Sequence, residues 1–123
     1  MIKKAQICEQ KEQHEVNVQR AKEKILGKAE IEKICTIFRV LSDPTRMRIV
    51  LALLEGEMCV YHLMEACEGT TQSGISHQLR ILRDNKIVKA RRAGKNVEYS
   101  IADAHVCEII KIGIEHLACE VEE

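Results

Sequence analysis

The chain has 123 residues, enough for one domain and too few for two separate cores. Apolar residues make up 46% and aromatics 2%, so a core must be built from Leu, Ile, Val, Met and Cys, which favours helices over a β-sandwich. Its 19 basic and 19 acidic residues cancel. No apolar run approaches the roughly 18 residues of a membrane span and no secretion-signal core follows Met1, so a cytoplasmic protein with no membrane partner is expected.

Residues 1–28 are polar and charged and read as an N-terminal arm, partly disordered or helical, with a helix expected from about Glu12 to Leu26 and a break near Gly27. From Ala29 the spacing of Ile31, Ile34, Phe38 and Leu41 is helical. Leu41-Ser42-Asp43-Pro44 then ends one helix and starts the next. Asp43 suits the N-cap, and Pro44 suits the first helical position, where a missing N–H costs nothing. Met47, Val50, Leu51 and Leu54 are expected to face the core of that helix, which stops at Gly56. A short helix from Val60 to Ala66 is closed by Gly69. Another runs from about Thr71 to Asp84, with Ile75, Leu79 and Leu82 on its apolar side. The period then changes to that of strands over Lys86–Arg91 and Asn96–Ile101, with Ala93-Gly94-Lys95 as a hairpin tip. The last element, Asp103 to about Glu120, is helical, and its apolar positions (Val106, Ile109, Ile110, Ile114, Leu117) form a surface broad enough to be shared with a second subunit. Residues 29–120 are thus one domain, and 121–123 an acidic tail.

The neutral total hides a division. Residues 71–96 hold seven basic side chains (Arg80, Arg83, Lys86, Lys89, Arg91, Arg92, Lys95) against Asp84, whereas residues 97–123 hold Lys111 against seven acidic ones. Phosphates respond to the local patch, not to the whole-chain charge. Two short helices joined by a Gly-containing turn and followed by a basic hairpin are the arrangement of a winged helix-turn-helix. The fold expected is therefore mainly α with a small β-hairpin wing, dimeric through its first and last helices. Ser73 and Ser76 allow close approach to phosphates. Gln72, His77, Gln78 and Arg80 have the length to reach base edges or phosphates. Arg91, Arg92 and Lys95 would rest on backbone or minor groove. One module reads only a few base pairs, so the expected partner is pseudo-palindromic double-stranded operator DNA bound by a homodimer.

The last helix carries two pairs of metal-binding side chains, Asp103 with His105 and His116 with Cys119. His105 and His116 are eleven residues apart, about 16 Å of helix at 1.5 Å per residue. Ligands of one small cation sit within about 4 Å of each other, so one copy cannot unite them. Two antiparallel copies can, and two-fold symmetry makes the site twice. One carboxylate, two imidazoles and a thiolate suit tetrahedral Zn(II), with Cd(II) or Co(II) also possible. The duller roles are a helix cap for Asp103 and a packed thiol for Cys119. A second candidate set is Cys59 with His62, three residues apart, joined by Cys8 and His14 of the arm. Cys35, Cys67 and Cys107 lack partners at ligand spacing and read as core or near-surface thiols. Six cysteines in a cytoplasmic chain point to packed thiols or ligands, not disulfides. An enzyme is not expected, because no nucleophile, base and orienting group occur as a set.

Residues 31–119 resemble the ArsR/SmtB family of metal-responsive repressors. Leu41-Ser42-Asp43-Pro44-Thr45-Arg46 through Leu54 looks like that family's early helix. Ser73-Gly74-Ile75-Ser76-His77-Gln78-Leu79-Arg80 matches its recognition helix, and the Asp103, His105, His116, Cys119 pattern is similar to the zinc site of its zinc and cobalt sensors. There the fourth ligand is His or Glu, and Cys119 is a departure that brings Cd(II) beside Zn(II). In the family's cadmium and lead sensors the stretch matching 57–63 reads Glu-Leu-Cys-Val-Cys-Asp-Leu. Here Cys59 is kept, Tyr61 stands for the second Cys and His62 for the Asp, and Cys8 and His14 match the N-terminal ligands only loosely. The resemblance implies a homodimeric repressor that holds operator DNA when metal-free and releases it on binding metal, switching on efflux or sequestration genes. Two alternatives stay open: a thiol-based repressor sensing Cd(II), arsenite or oxidants through Cys59 and other cysteines, and a constitutive DNA-binding protein.

Overall fold

Helix α1 (Lys11–Lys24) is the first element of the computed structural model, which describes residues 10–119. The chain divides into two units, one ending at Ile34 and the next beginning at Cys35. In the first unit α1 buries none of its residues, and Val16 and Val18 are exposed. Two valines do not make an apolar face, so nothing on this helix demands packing.

Helix α2 (Lys28–Leu41) crosses from the first unit into the second and buries only its last two residues, Val40 and Leu41. The expected Asp43-Pro44 start is present. Asp43 caps α3 (Pro44–Leu53) by accepting from the Arg46 backbone N–H at 3.0 Å, with Pro44 in the first turn. Such a cap stabilises by about 1 kcal/mol. The buried face of α3 is the expected one in part: Val50 goes into the core together with Ile49 and Leu53, Met47 and Leu54 are half-buried and pack against it, and Leu51 is exposed. Apolar residues surround this helix on more than one side, and the Met47–Leu51 side opens onto a surface groove instead.

Helix α4 (Val60–Ala66) buries Leu63. The turn after it is held by the Thr70 hydroxyl donating to the Cys67 carbonyl at 2.6 Å and by Arg48 donating to the Glu68 carbonyl at 2.8 Å. Gly69 sits there at φ 87°, a left-handed conformation that favours glycine. Helix α5 (Gln72–Asp84) is capped by Thr71, whose hydroxyl accepts from the Gly74 N–H at 3.0 Å, and it buries Ile75, Leu79 and Leu82 as the spacing predicts.

Strand β1 (Val88–Ala93) starts two residues later than the sequence pattern suggests, because Lys86 takes a left-handed φ of 59° and Ile87 seals the core. It pairs antiparallel with β2 (Asn96–Ile101), Val88 opposite Ile101 and Ala93 opposite Asn96. The loop is Gly94-Lys95, with Gly94 at φ 66°, as a type II′ turn asks of its first residue. Met58 adds a bridge to the outer side of β2, exchanging two backbone hydrogen bonds with Tyr99 at 3.0 and 2.8 Å.

Helix α6 (Ala104–Ala118) buries Val106 and Ile110. It stops short of the expected Glu120: Cys119 is the C-cap and its backbone has left helical dihedrals. The core of the second unit is mainly aliphatic, with Ile49, Leu63, Ile75, Leu79, Leu82 and Ile87 at 1% exposure or less beside the buried Cys67 thiol. Burial of each such side chain is worth about 1.5–3 kcal/mol. Among the described residues no helix is long and apolar enough to cross a membrane.

Candidate nucleic-acid interface and metal-ligand pairs

Helix α5 presents a polar face because its apolar residues repeat on one side only. Gln72, Ser73, Ser76, His77 and Arg80 are all exposed, as are Arg91, Arg92 and Lys95 on the hairpin. Two side chains expected to meet DNA are already engaged within the chain. Gln78 is half-buried, and its Oε1 accepts from Arg46 Nη1 at 3.0 Å. Arg91 forms a two-pronged pair with Glu57, Nε to Oε2 at 2.7 Å and Nη2 to Oε1 at 2.5 Å. Hydrogen bonding to Arg91 holds the Glu57 carboxyl below its ordinary range and raises the Arg91 guanidinium further. The pair lies 34 residues apart in sequence, and local pattern gave no signal for it.

Sequence reasoning missed two more groups. Between α5 and the hairpin lies a polar cleft of about 490 Å³ lined by Ser76, Arg80, Arg83, Asp84 and Tyr99. Two guanidiniums and two hydroxyls against one carboxylate make it suited to a phosphate. Arg83 could have been found by its place one turn after Arg80; Tyr99, on a strand, gave no such signal.

The ligand pairs stay pairs within one chain. At the start of α6, Asp103 Oδ1 lies 3.6 Å from His105 Nδ1, and both side chains are exposed. The same Oδ1 accepts the Val106 backbone N–H at 3.1 Å, so Asp103 does cap the helix, and among the described residues Oδ2 accepts no hydrogen bond. At the far end His116 lies on the last turn and Cys119 is the C-cap, its N–H still bonded to the Glu115 carbonyl at 3.0 Å, and both side chains are exposed. Elsewhere Cys59 Sγ lies 3.6 Å from His62 Nδ1, with Cys59 buried and His62 exposed. Cys8 lies outside the described residues, and His14 is exposed on α1 in the other unit. Among the described residues no three His, Cys, Asp or Glu side chains come together as a metal site. Cys67 is buried, which pushes its thiol up from the ordinary value; Cys107 is half-buried and Cys35 exposed.

Beside α6 runs an apolar groove of about 510 Å³, lined by α2, α3 and α6 through Phe38, Met47, Leu51, Ile109, Ile114 and Leu117 among others. Leu117 is 81% exposed, Phe38 53% and Ile114 46%. Large aliphatic surface left open in this way marks an interaction face.

Residues 43–90 match the model of the bacterial regulatory protein family arsR. The chain is 37% identical over 111 residues to the transcriptional repressor SmtB homolog of Synechocystis sp., covering 90% of this chain and 83% of that one. It is 40% identical over 111 residues to the cadmium resistance transcriptional regulatory protein CadC homolog of Staphylococcus aureus, covering 89% and 90%. The chain belongs to the ArsR family. Its members are DNA-binding transcriptional regulators, not enzymes. The homodimeric winged helix-turn-helix DNA-binding domain of a possible ArsR-family regulator from Mycobacterium bovis superposes with a TM-score of 0.66 at 25% identity, covering 77% of this chain and 91% of that one. In ArsR terms α4 and α5 are the helix-turn-helix and β1–β2 the wing, so the exposed face of α5 is the DNA-reading surface of the fold.

Proposed function

We propose that this ArsR-family chain is a cytoplasmic, metal-responsive repressor. As a metal-free homodimer it holds pseudo-palindromic operator DNA, and it lets go when Zn(II), or Cd(II) or Co(II), is bound by Asp103 and His105 of one copy with His116 and Cys119 of the other. The observation that carries this reading is the split of ligands along α6: an exposed carboxylate–imidazole pair at one end, an exposed imidazole and thiol at the other, and an open aliphatic stripe between them. The donors fit the ion. Asp103 keeps Oδ2 for a metal while Oδ1 holds the helix start, two imidazoles and a thiolate complete a tetrahedral set, and the thiolate admits the softer Cd(II). One relative is named for cadmium resistance. Bound metal would join the two α6 helices and favour one arrangement of the two reading heads over another.

A second reading has its own observation. The Cys59 and His62 pair stands ready for a soft metal or an electrophile, and the residue before Cys59 is hydrogen-bonded to the wing strand at Tyr99. A signal at Cys59 would then reach DNA through the wing, without α6.

The test is titration of a fluorescent operator duplex, selected by the metal-free protein from random DNA, with and without Zn(II), Cd(II) and Co(II). Coupling of ordinary size weakens DNA binding by about 5- to 150-fold, and operator must weaken metal binding by the same factor. His105→Ala should keep metal-free DNA binding and lose the response; Cys59→Ala should keep both. The opposite pattern favours the thiol reading; equal affinity with and without metal sinks the metal reading, and equal affinity with and without arsenite and hydrogen peroxide as well sinks both.

A further inference from the structure

A glutamine on a recognition helix ordinarily has two ends to offer. Its amide oxygen accepts and its amide nitrogen donates, which matches the N6/N7 edge of adenine in the major groove. Gln78 is not in that position. Arg46 is anchored at the start of α3, with its Nε donating to the Val40 carbonyl at 2.8 Å and its Nη1 reaching Gln78 at 3.0 Å. A guanidinium has only donors, so the end of Gln78 that faces it must be the oxygen, whichever way an amide is drawn. The Nε2 group has no partner among the described residues. No buried side-chain nitrogen or oxygen there is left unpaired, so that N–H₂ group is open to solvent.

We propose that Arg46 makes Gln78 a one-way reader: with its oxygen turned to Arg46 and its unpartnered N–H₂ end open to solvent, Gln78 meets DNA donor-first and cannot lay both ends of its amide on one base, and so favours acceptor edges, guanine O6/N7 or thymine O4, over the mixed donor–acceptor edge of adenine. Arg46 is then a positioning residue that sets base preference from outside the interface, through a contact spanning 32 residues of sequence. This rests on the reading of α5 as the DNA-reading helix.

Metal-free full-length protein and three variants are each used to enrich binding sites from a pool of random 30-base-pair duplexes, and the base preferences are compared position by position. Gln78→Ala identifies the position that Gln78 reads, where wild type should prefer guanine or thymine over adenine by about 5-fold or more. Arg46→Met keeps the aliphatic stem but releases the amide, and adenine should gain at that position. Gln78→Glu keeps an acceptor for Arg46 but has no donor, and should shift the preference towards cytosine, whose N4 donates. The wild-type preference at that position needs no change at Arg46, so it decides the matter even if Arg46→Met does not fold. Wild-type preference for adenine at that position, or an Arg46→Met profile identical to wild type, overturns the proposal. If Ser76→Ala and Arg80→Ala both leave affinity and enriched sequence unchanged, the reading of α5 itself has failed; if they change them and the Gln78 variants do not, only the role of Arg46 and Gln78 has.

Discussion

The reading head and the last helix are built to different degrees of completion. From Thr71 to Ile101 the chain satisfies itself: α5 is capped by Thr71, its apolar side is fully buried, the hairpin is closed by a glycine turn, and Gln78 and Arg91 are held by Arg46 and Glu57. Helix α6 buries only Val106 and Ile110 and leaves Ile109, Ile112, Ile114 and Leu117 in water, with ligand pairs at its two ends that do not meet. A surface that one copy completes can recognise DNA by rigid geometry. A surface that one copy leaves unfinished responds to whatever completes it, which suits it to sensing.

The contrast is most sharply broken by placing a charge in the aliphatic stripe. Ile114→Asp should weaken self-association and operator binding by at least ~100-fold, because a single module contacts only half of a two-part site and a carboxylate is costly to bury. Sedimentation velocity and operator anisotropy measure the two losses. If neither changes, the stripe is not what joins two copies, while the far-ultraviolet spectrum of the reading head should be unaffected either way.

A smaller effect is expected on the wing. Glu57→Gln releases Arg91, so operator binding should tighten at low salt, and the plot of log affinity against log salt should steepen by about 0.9 if Arg91 takes a phosphate. An unchanged slope would mean that Arg91 does not reach the backbone. The same variant has a pH signature. The Glu57 carboxyl is lowered in the folded chain by its hydrogen bonds to Arg91, so its contribution is present above the ordinary value of 4.5 and fades as pH falls through the lowered one. Removing it should flatten the acid limb of the stability profile.

The smallest expected effect lies at Lys86, the non-glycine residue with positive φ among those described. Lys86→Gly relieves a left-handed penalty of about 1 kcal/mol and gives back part of it in chain entropy, for a net gain of about 0.5 kcal/mol in urea. Because this corner belongs to the self-contained half, the gain should not depend on protein concentration, unlike the loss in Ile114→Asp.

Much of this was legible from local signals. Asp43-Pro44, Thr71, Gly69 and Gly94 mark where elements start and turn, and the Ile75, Leu79, Leu82 spacing orients α5 correctly, since one face is apolar and the other is not. The orientation of α3 was legible only in part: Val50, Met47 and Leu54 lie in or against the core, but Ile49 and Leu53 were missed and Leu51 is exposed. With Met47, Ile49, Val50, Leu51 and Leu53 in one short stretch, periodicity cannot separate a chain's own core from a face left for another molecule. The tethers on Gln78 and Arg91 were hidden for a different reason: each joins residues more than thirty positions apart, and their spacing carries no trace of it. Sequence placed Asp103 at the start of α6, where it caps the helix, but not the end of α6 before Cys119, where no glycine or proline marks the stop.

The bridge between Met58 and Tyr99 has a mechanical consequence. It pins β2 partway along its length, leaving about 13 Å of strand, four residues at roughly 3.3 Å each, between the pin and the tip. The hairpin is therefore a lever. Cys59 adjoins its fulcrum, and Arg92 and Lys95 ride near the end of the long arm, so a small tilt at residue 58 arrives at the charges enlarged.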